Sequence, residues 1–278
     1  MIFKNKTLVA CLPANIEQQV LYSHQGLTYG GFIYKADLKF HVLVEVVKSV
    51  LLFLKKNNIQ ELVLKALPAI YLNYRINNAL DYLMFKLKAE VFRTDVLSVI
   101  DLKANTTYSR DRKAGIKRGL RHGVTVKEEA TFEAFWNTIL IPNLKSKHNV
   151  KPVHSLEEIS YLKGLFPNQI RQFNVYQKDS IVAGTTIFET KNVAHSQYIS
   201  ANDSKNKLGS LDVLHDHLLK NIFKDKPFFD FGISNINKGQ HINEGLLYWK
   251  EGFGARAVPQ SFFKINTANG SFLNEVFV

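Results

Sequence analysis

Cysteine is almost absent: Cys11 is the only one in 278 residues. That excludes an internal disulfide framework and any multi-cysteine zinc site. Cys11 lies in the apolar run Thr7-Leu-Val-Ala-Cys-Leu12 with no basic neighbour to lower its pKa, so a small buried core residue is expected rather than a nucleophile. Long hydrophobic runs are missing as well. The most apolar stretch, residues 41–54, is broken by Glu45 and Lys48 and is too short to span a bilayer. The opening Met1-Ile-Phe-Lys-Asn-Lys6 has neither the apolar core nor the cleavage site of a signal peptide. Both features predict a cytoplasmic chain without stable membrane insertion. No His-Glu-x-x-His occurs, and His215 and His217 stand two apart on a predicted helix, where they face different ways; no metal site is expected. Low-complexity tracts are lacking too, which argues against disorder.

Acidic residues are in deficit. There are 24 against 36 Lys and Arg, a net charge of +12, which favours acidic partners such as nucleic acid, nucleotide phosphates or a membrane surface. Much of the excess is local: Arg110, Arg112, Lys113, Lys117, Arg118 and Arg121 face only Asp111. Ala114, Ile116 and Leu120 fall at helical spacing, leaving the cations largely on the other side. Two readings stay open for this segment, a solvated helix face or a contact surface for phosphates.

What is present, 46% apolar residues, suffices for a core of one large or two moderate domains. A hairpin is predicted over residues 1–12, then a strand-like stretch at 20–34 interrupted by Gly26, Gly30 and Gly31. Helical spacing marks 40–56 and 78–89, and strands are expected at 59–67 and 90–102. After the basic segment come a strand at 124–126 and a helix over 131–147. A further helix is capped by Ser155, with Glu158 completing a capping box. A hairpin over 170–188, a strand at 193–200, a helix over 211–223, a strand at 227–234, a short helix from 243 and a strand at 257–265 complete the order.

The two halves repeat. Phe3-Lys-Asn-Lys-Thr-Leu-Val-Ala10 parallels Tyr176-Gln-Lys-Asp-Ser-Ile-Val-Ala183, and Val20-Leu-Tyr-Ser23 parallels Val193-Ala-His-Ser196 in the same register. Equal spacing with the same order of elements indicates a duplicated unit. The expected fold is therefore α/β (α+β) with a truncated first domain over 1–105, a basic connector over 106–122 and a complete second domain over 123–278.

Several motifs carry a family likeness: Leu12-Pro-Ala-Asn15, Ser23-His-Gln-Gly-Leu-Thr-Tyr-Gly-Gly31, Lys151-Pro-Val-His-Ser155, Asp230-Phe-Gly-Ile-Ser234, Asn243-Glu-Gly245 and Lys250-Glu-Gly-Phe-Gly-Ala-Arg256. With the element order, they make the chain resemble FemAB-like (Fem-type) aminoacyltransferases, built from tandem GNAT-like domains. The first domain here would lack its initial strand and two helices.

The resemblance implies transfer of an acyl or aminoacyl group to an amino group of a cell-envelope precursor, such as a peptidoglycan peptide or a nucleotide- or lipid-linked sugar. It implies acyl-CoA or aminoacyl-tRNA as donor co-substrate, with no tightly bound cofactor, and hence tRNA as a candidate partner. Ser200, Lys207, Leu208, Gly209 and Ser210 would bind the donor at the start of a helix, a natural anion site. Asn206 and Leu211 depart from the usual coenzyme A pattern there. Lys250 matches a lysine near the reacting carbonyl; a surface lysine paired with Glu244 or Glu251 is the competing reading.

Asp230, Glu244 and His195 are the candidate bases. Asp230 sits among Phe228, Phe229 and Phe231, a setting that raises a carboxyl pKa, though it could equally bind amides near Gly232 and shape the turn. Ser23, His24, Gln25 and Tyr29 would wall the acceptor cleft, with Gly30 and Gly31 letting a ligand approach the backbone; Arg110 and Arg112 would supply charge. A non-catalytic GNAT-fold binding protein for a nucleotide, RNA or polysaccharide precursor is the alternative from a different class.

Overall fold

The computed structural model describes residues 1–28, 30–72 and 79–278. Tyr29, one of the expected cleft residues, lies outside them. The chain forms two compact units: residues 1–95, 235–241 and 259–278 make unit 1, and residues 96–234 and 242–258 make unit 2.

In chain order the elements are β1 (Ile2–Lys4), β2 (Thr7–Cys11), β3 (Asn15–Glu17), β4 (Val20–Tyr22), β5 (Ile33–Tyr34), α1 (Phe40–Lys56), β6 (Glu61–Lys65), α2 (Ala79–Lys86) and β7 (Glu90–Asp101). There follow α3 (Arg110–Arg121), β8 (Val124–Glu129), α4 (Glu133–Phe135), α5 (Ile141–His148), α6 (Leu156–Leu165), β9 (Ile170–Gln177), β10 (Ser180–Glu189) and β11 (Val193–Ala201). The last group is α7 (Lys205–Leu208), α8 (Ser210–His217), β12 (Phe228–Ile233), β13 (Asn235–Ile236), β14 (His241–Ile242), α9 (Glu244–Glu251) and β15 (Arg256–Asn266). A π turn, Trp136–Leu140, joins α4 to α5, and another, Leu218–Ile222, extends α8.

Local sequence explains most of these elements. In α1, Leu43, Val44, Val47, Leu51 and Leu54 share one buried stripe, and Lys55 and Lys56 close its carboxyl end, where cations are favourable. The capping box of α6 forms as the sequence predicts: Glu158 N–H donates to Ser155 Oγ at 3.1 Å, and Ser155 N–H donates to Glu158 Oε2 at 2.7 Å. Among the described residues of 20–34, β4 and β5 are the regular strand. Cys11 is half-buried at the end of β2 rather than fully buried.

The repeat is visible in the strand pairing. β1–β2 and β9–β10 are antiparallel hairpins, and β4–β6 and β11–β12 are parallel pairs bridged by helix. The final strands, however, are exchanged. Within unit 2, β12 pairs with the Leu97–Asp101 part of β7; within unit 1, β6 pairs with the Phe262–Asn266 part of β15. Each unit is thus completed by a strand that follows the other series in sequence.

The basic segment is a helix of unit 2, α3, started by Ser109 as N-cap. Its buried positions are Gly115 and Gly119, not the expected stripe of Ala114, Ile116 and Leu120, and Leu120 is 62% exposed. Glycine decides the packing because α3 meets the start of α8 at backbone range. A Cβ on Gly115 would overlap the Asp212 carboxylate, and one on Gly209 would overlap the Gly115 carbonyl.

Gly115→Ala should therefore lower the melting temperature. Overpacking costs about 1–3 kcal/mol, against a gain of about 1 kcal/mol in helix propensity. Asp212 cannot easily yield, since Arg112 and the Trp249 indole N–H both donate to it. A thermal melt at or above that of the parent chain would show that α3 can move aside.

Candidate functional site

β11 and β12 part company after three rungs: Val193–Phe228, Ala194–Phe229 and His195–Asp230. β11 runs on to Ala201 paired only with β10. Parallel strands that separate leave a wedge-shaped gap lined by strand backbone, and the residues of the last rung stand at its vertex.

The chemistry of the vertex explains the parting. Asp230 is fully buried, and its Oδ1 accepts from the Gly232 N–H at 2.7 Å while Oδ2 lies 3.0 Å from His195 Nδ1. Gly232 has φ +72°, a left-handed conformation natural to glycine, and the β12–β7 register shifts between Asp230 and Ile233. The turned carbonyls go to a side chain instead of a ladder: Lys250 Nζ donates to Gly232 O at 2.9 Å and to Ile233 O at 2.7 Å. β12 is thus bent away from β11 by Asp230 on one side and Lys250 on the other.

Lys250 comes from the last turn of α9, whose N-cap Asn243 accepts from the Leu246 N–H at 2.9 Å. It is 2% exposed. Burial pushes its pKa down to about 8, and the Asp230 carboxylate opposes that shift. An ammonium has three N–H groups, and the two carbonyls occupy two of them. The surface-lysine reading does not hold, because the side chain turns inward beneath β12.

Behind the vertex lies an aromatic wall. The His215 ring stands 5.0 Å from the rings of both Phe231 and Trp249, and Phe229 and Phe253 close the cluster. Burial drives the His215 pKa down to about 4, so its imidazole is neutral at physiological pH. Its Nδ1 is 2.8 Å from the Leu211 carbonyl.

Asp230, Lys250 and His195 are therefore brought together. Glu244 stands apart, exposed on the first turn of α9. Ser200 lies on the open part of β11, and its Oγ accepts from Asn143 Nδ2 at 2.8 Å. Lys207 is exposed on α7, while Leu208, Gly209 and Ser210 are buried. The expected phosphate cradle at Gly209–Ser210 is covered, because α3 lies against that turn at backbone distance. Arg110 is exposed, and Arg112 is committed to Asp212. Burial raises the Asp212 carboxyl above its usual range although Arg112 pulls it down.

At Ser23 and Gly30 the cleft wall expected at residues 23–31 is filled by unit 1's own backbone. Ser23 is buried; its N–H donates to Val63 O at 2.9 Å and its Oγ accepts from the Lys65 N–H at 2.7 Å. These bonds continue the β4–β6 pairing where β11 and β12 separate. Gly30 packs on the Ser23 carbonyl, so the close approach predicted there is made by the chain itself and not by a ligand. Gln25 is tied to Asn15 and Glu17, and His24 takes φ +62° in the turn.

Sequence reasoning missed Asn143 and the His154–Tyr198 pair. Asn143 Nδ2 holds both Ser200 Oγ and Ala201 O at the far end of β11, and Tyr198 Oη is 2.7 Å from His154 Nδ1. The signal for the second was present, since His154 lies in the Lys151-Pro-Val-His motif and Tyr198 in the alternating β11. Only the fold places them side by side.

No protein-family model matches the chain, and no curated protein matches it by sequence. Solved structures do resemble it. The C-terminal domain of a putative lysylphosphatidylglycerol synthetase from Agrobacterium fabrum superimposes with a TM-score of 0.64 at 12% identity, over 95% of this chain and 82% of that one. FemX gives 0.64 at 10% identity, over 90% of this chain and 81% of its own. L-PGS from Bacillus licheniformis gives 0.62 at 13% identity, over 96% and 86%. At such identities the likeness is one of fold. The chain has the mixed α/β fold that its element order predicted, and it shares that fold with these three structures.

Proposed function

We propose that the chain is an acyl- or aminoacyltransferase whose reaction centre is the vertex between β11 and β12. The observation that carries this reading is the ending of the ladder at His195–Asp230, with Lys250 anchored on the carbonyls of the bend. Acyl transfer needs a polarised carbonyl, a deprotonated nucleophile and a proton source for the leaving group. The unladdered backbone of β11 offers strand-edge groups to an extended acyl donor. Asp230 beside His195 Nδ1 orients the imidazole with Nε2 as its basic nitrogen, suited to take a proton from an attacking amine. The remaining N–H of Lys250 is the donor assigned to the developing oxyanion.

Aminoacyl-tRNA is favoured over acyl-CoA as donor, because α3 covers the turn where a coenzyme A pyrophosphate would be expected to lie. The three similar folds support an aminoacyl acceptor in the cell envelope; an amino group of an envelope precursor is the proposed nucleophile. Purified protein supplied with charged tRNA, acyl-CoA and an envelope-precursor pool should yield a product heavier by one aminoacyl residue, seen by mass spectrometry. No mass-shifted product from either donor would sink the catalytic reading and leave a binding protein.

A further inference from the structure

α3 has a second face, unrelated to the vertex. Beside it lies an open groove of about 510 Å3, with Tyr108, Ile116 and Leu120 as its apolar floor and Lys113, Lys117, Arg121 and Lys220 around it. Lys220 is paired with Asp216 at 2.6 Å. Lys113, Lys117 and Arg121 make no ion pair among the described residues. They recur at i, i+4 and i+8 and so form one stripe. An exposed leucine alone would mean little. Here Leu120 sits between Lys117 and Arg121 on a helix whose glycine face is already used against α8.

We infer that this groove is a docking surface for an anionic lipid bilayer, with α3 lying in the interfacial plane. Cations flanking an apolar strip are what a headgroup-and-acyl boundary requires: the stems of Lys and Arg follow the apolar surface while their charges reach phosphates. Single-stranded nucleic acid needs accessible rings for base stacking. The one ring of the groove is already engaged: Tyr108 carries Lys220 Nζ 4.9 Å above it and packs edge-on against Phe253 at 5.4 Å. The charge fits either ligand, but the floor favours lipid.

The test is flotation of the full chain with vesicles of phosphatidylcholine alone or containing phosphatidylserine, with homopolymeric RNA as a parallel ligand. Binding is expected only to the anionic vesicles, weakening as salt rises. Each basic residue near such a surface is worth roughly fivefold, so the triple change Lys113→Glu, Lys117→Glu, Arg121→Glu should weaken binding by at least about a hundredfold. Leu120→Ser removes no charge and touches an exposed position, so it should fold normally. It should still weaken vesicle binding roughly tenfold, the worth of one leucine leaving water, while RNA binding stays unchanged. Absence of binding to anionic vesicles, equal vesicle binding by Leu120→Ser and the parent, or loss of RNA binding alone in the triple variant would each overturn the inference.

Discussion

Asp230→Ala is expected to cost about 3–5 kcal/mol of folding stability, the usual penalty for removing one partner of a buried polar pair. Three groups lose their counterpart together. The Gly232 N–H loses its acceptor at 2.7 Å, His195 Nδ1 loses its partner at 3.0 Å, and buried Lys250 loses a favourable charge. Chemical denaturation measures the loss as a lower midpoint. Asp230→Asn should cost much less, because its amide oxygen can still accept from Gly232 while its NH2 faces His195 in the other tautomer. If alanine and asparagine proved equally mild, Asp230 would not be holding the bend. Under the proposed function Asp230→Asn should nevertheless lower turnover, since it leaves His195 in the wrong tautomer.

Lys250→Met should separate two roles of the lysine by pH. With a native pKa of about 8 against the ordinary lysine value of 10.5, Lys250 is protonated in both folded and unfolded chains below about pH 8, and the cost of burying its charge is fully present there. Between about pH 8 and 10.5 the folded chain has released the proton and the unfolded chain still holds it. Unfolding then takes up a proton, so this group's contribution to stability rises with pH through that window, by about 3 kcal/mol in total. The methionine variant should lack that rise, which denaturation series at pH 7.5 and about pH 10 would reveal as a difference between the two proteins. Parallel curves would show that the buried ammonium is not strained. If Lys250 also offsets an oxyanion, the variant should lose turnover by about 10²–10³-fold while remaining folded. The parent's rate should then fall as pH rises past about 8, where the ammonium is lost. A folded Lys250→Met variant with undiminished turnover would remove Lys250 from the mechanism.

Much of the vertex was readable as a list of residues but not as an arrangement. Asp230 stood out as a carboxyl among phenylalanines, and Lys250 in its glycine-rich motif. The turn-shaping reading of Asp230 is the one its geometry carries: the carboxylate accepts from the Gly232 N–H, and its other oxygen faces His195. Lys250 could not be placed inward from sequence, because a lysine beside Glu251 on a short helix ordinarily points to water. Its burial depends on two backbone carbonyls freed by a bend in a different element. The Gly209–Ser210 turn failed as a cradle for a similar reason. A glycine before a helix reads the same whether it receives a phosphate or another helix, and Gly115, far away in sequence, decides between them.

The sequence by itself determined the elements, the capping of α6 and the repeated strand–helix–strand order, because these rest on local spacing and on contacts a few residues apart. The tertiary structure alone decided which strand completes each unit, β7 joining β12 and β15 joining β6. It also decided which parallel pair opens. Strand pairing is set by hydrogen bonds between residues distant in the chain, which local spacing does not specify. β4 and β6 stay closed because Ser23 bridges to Val63 and Lys65, whereas β11 and β12 part because Asp230 and Lys250 capture the groups that would have continued the ladder.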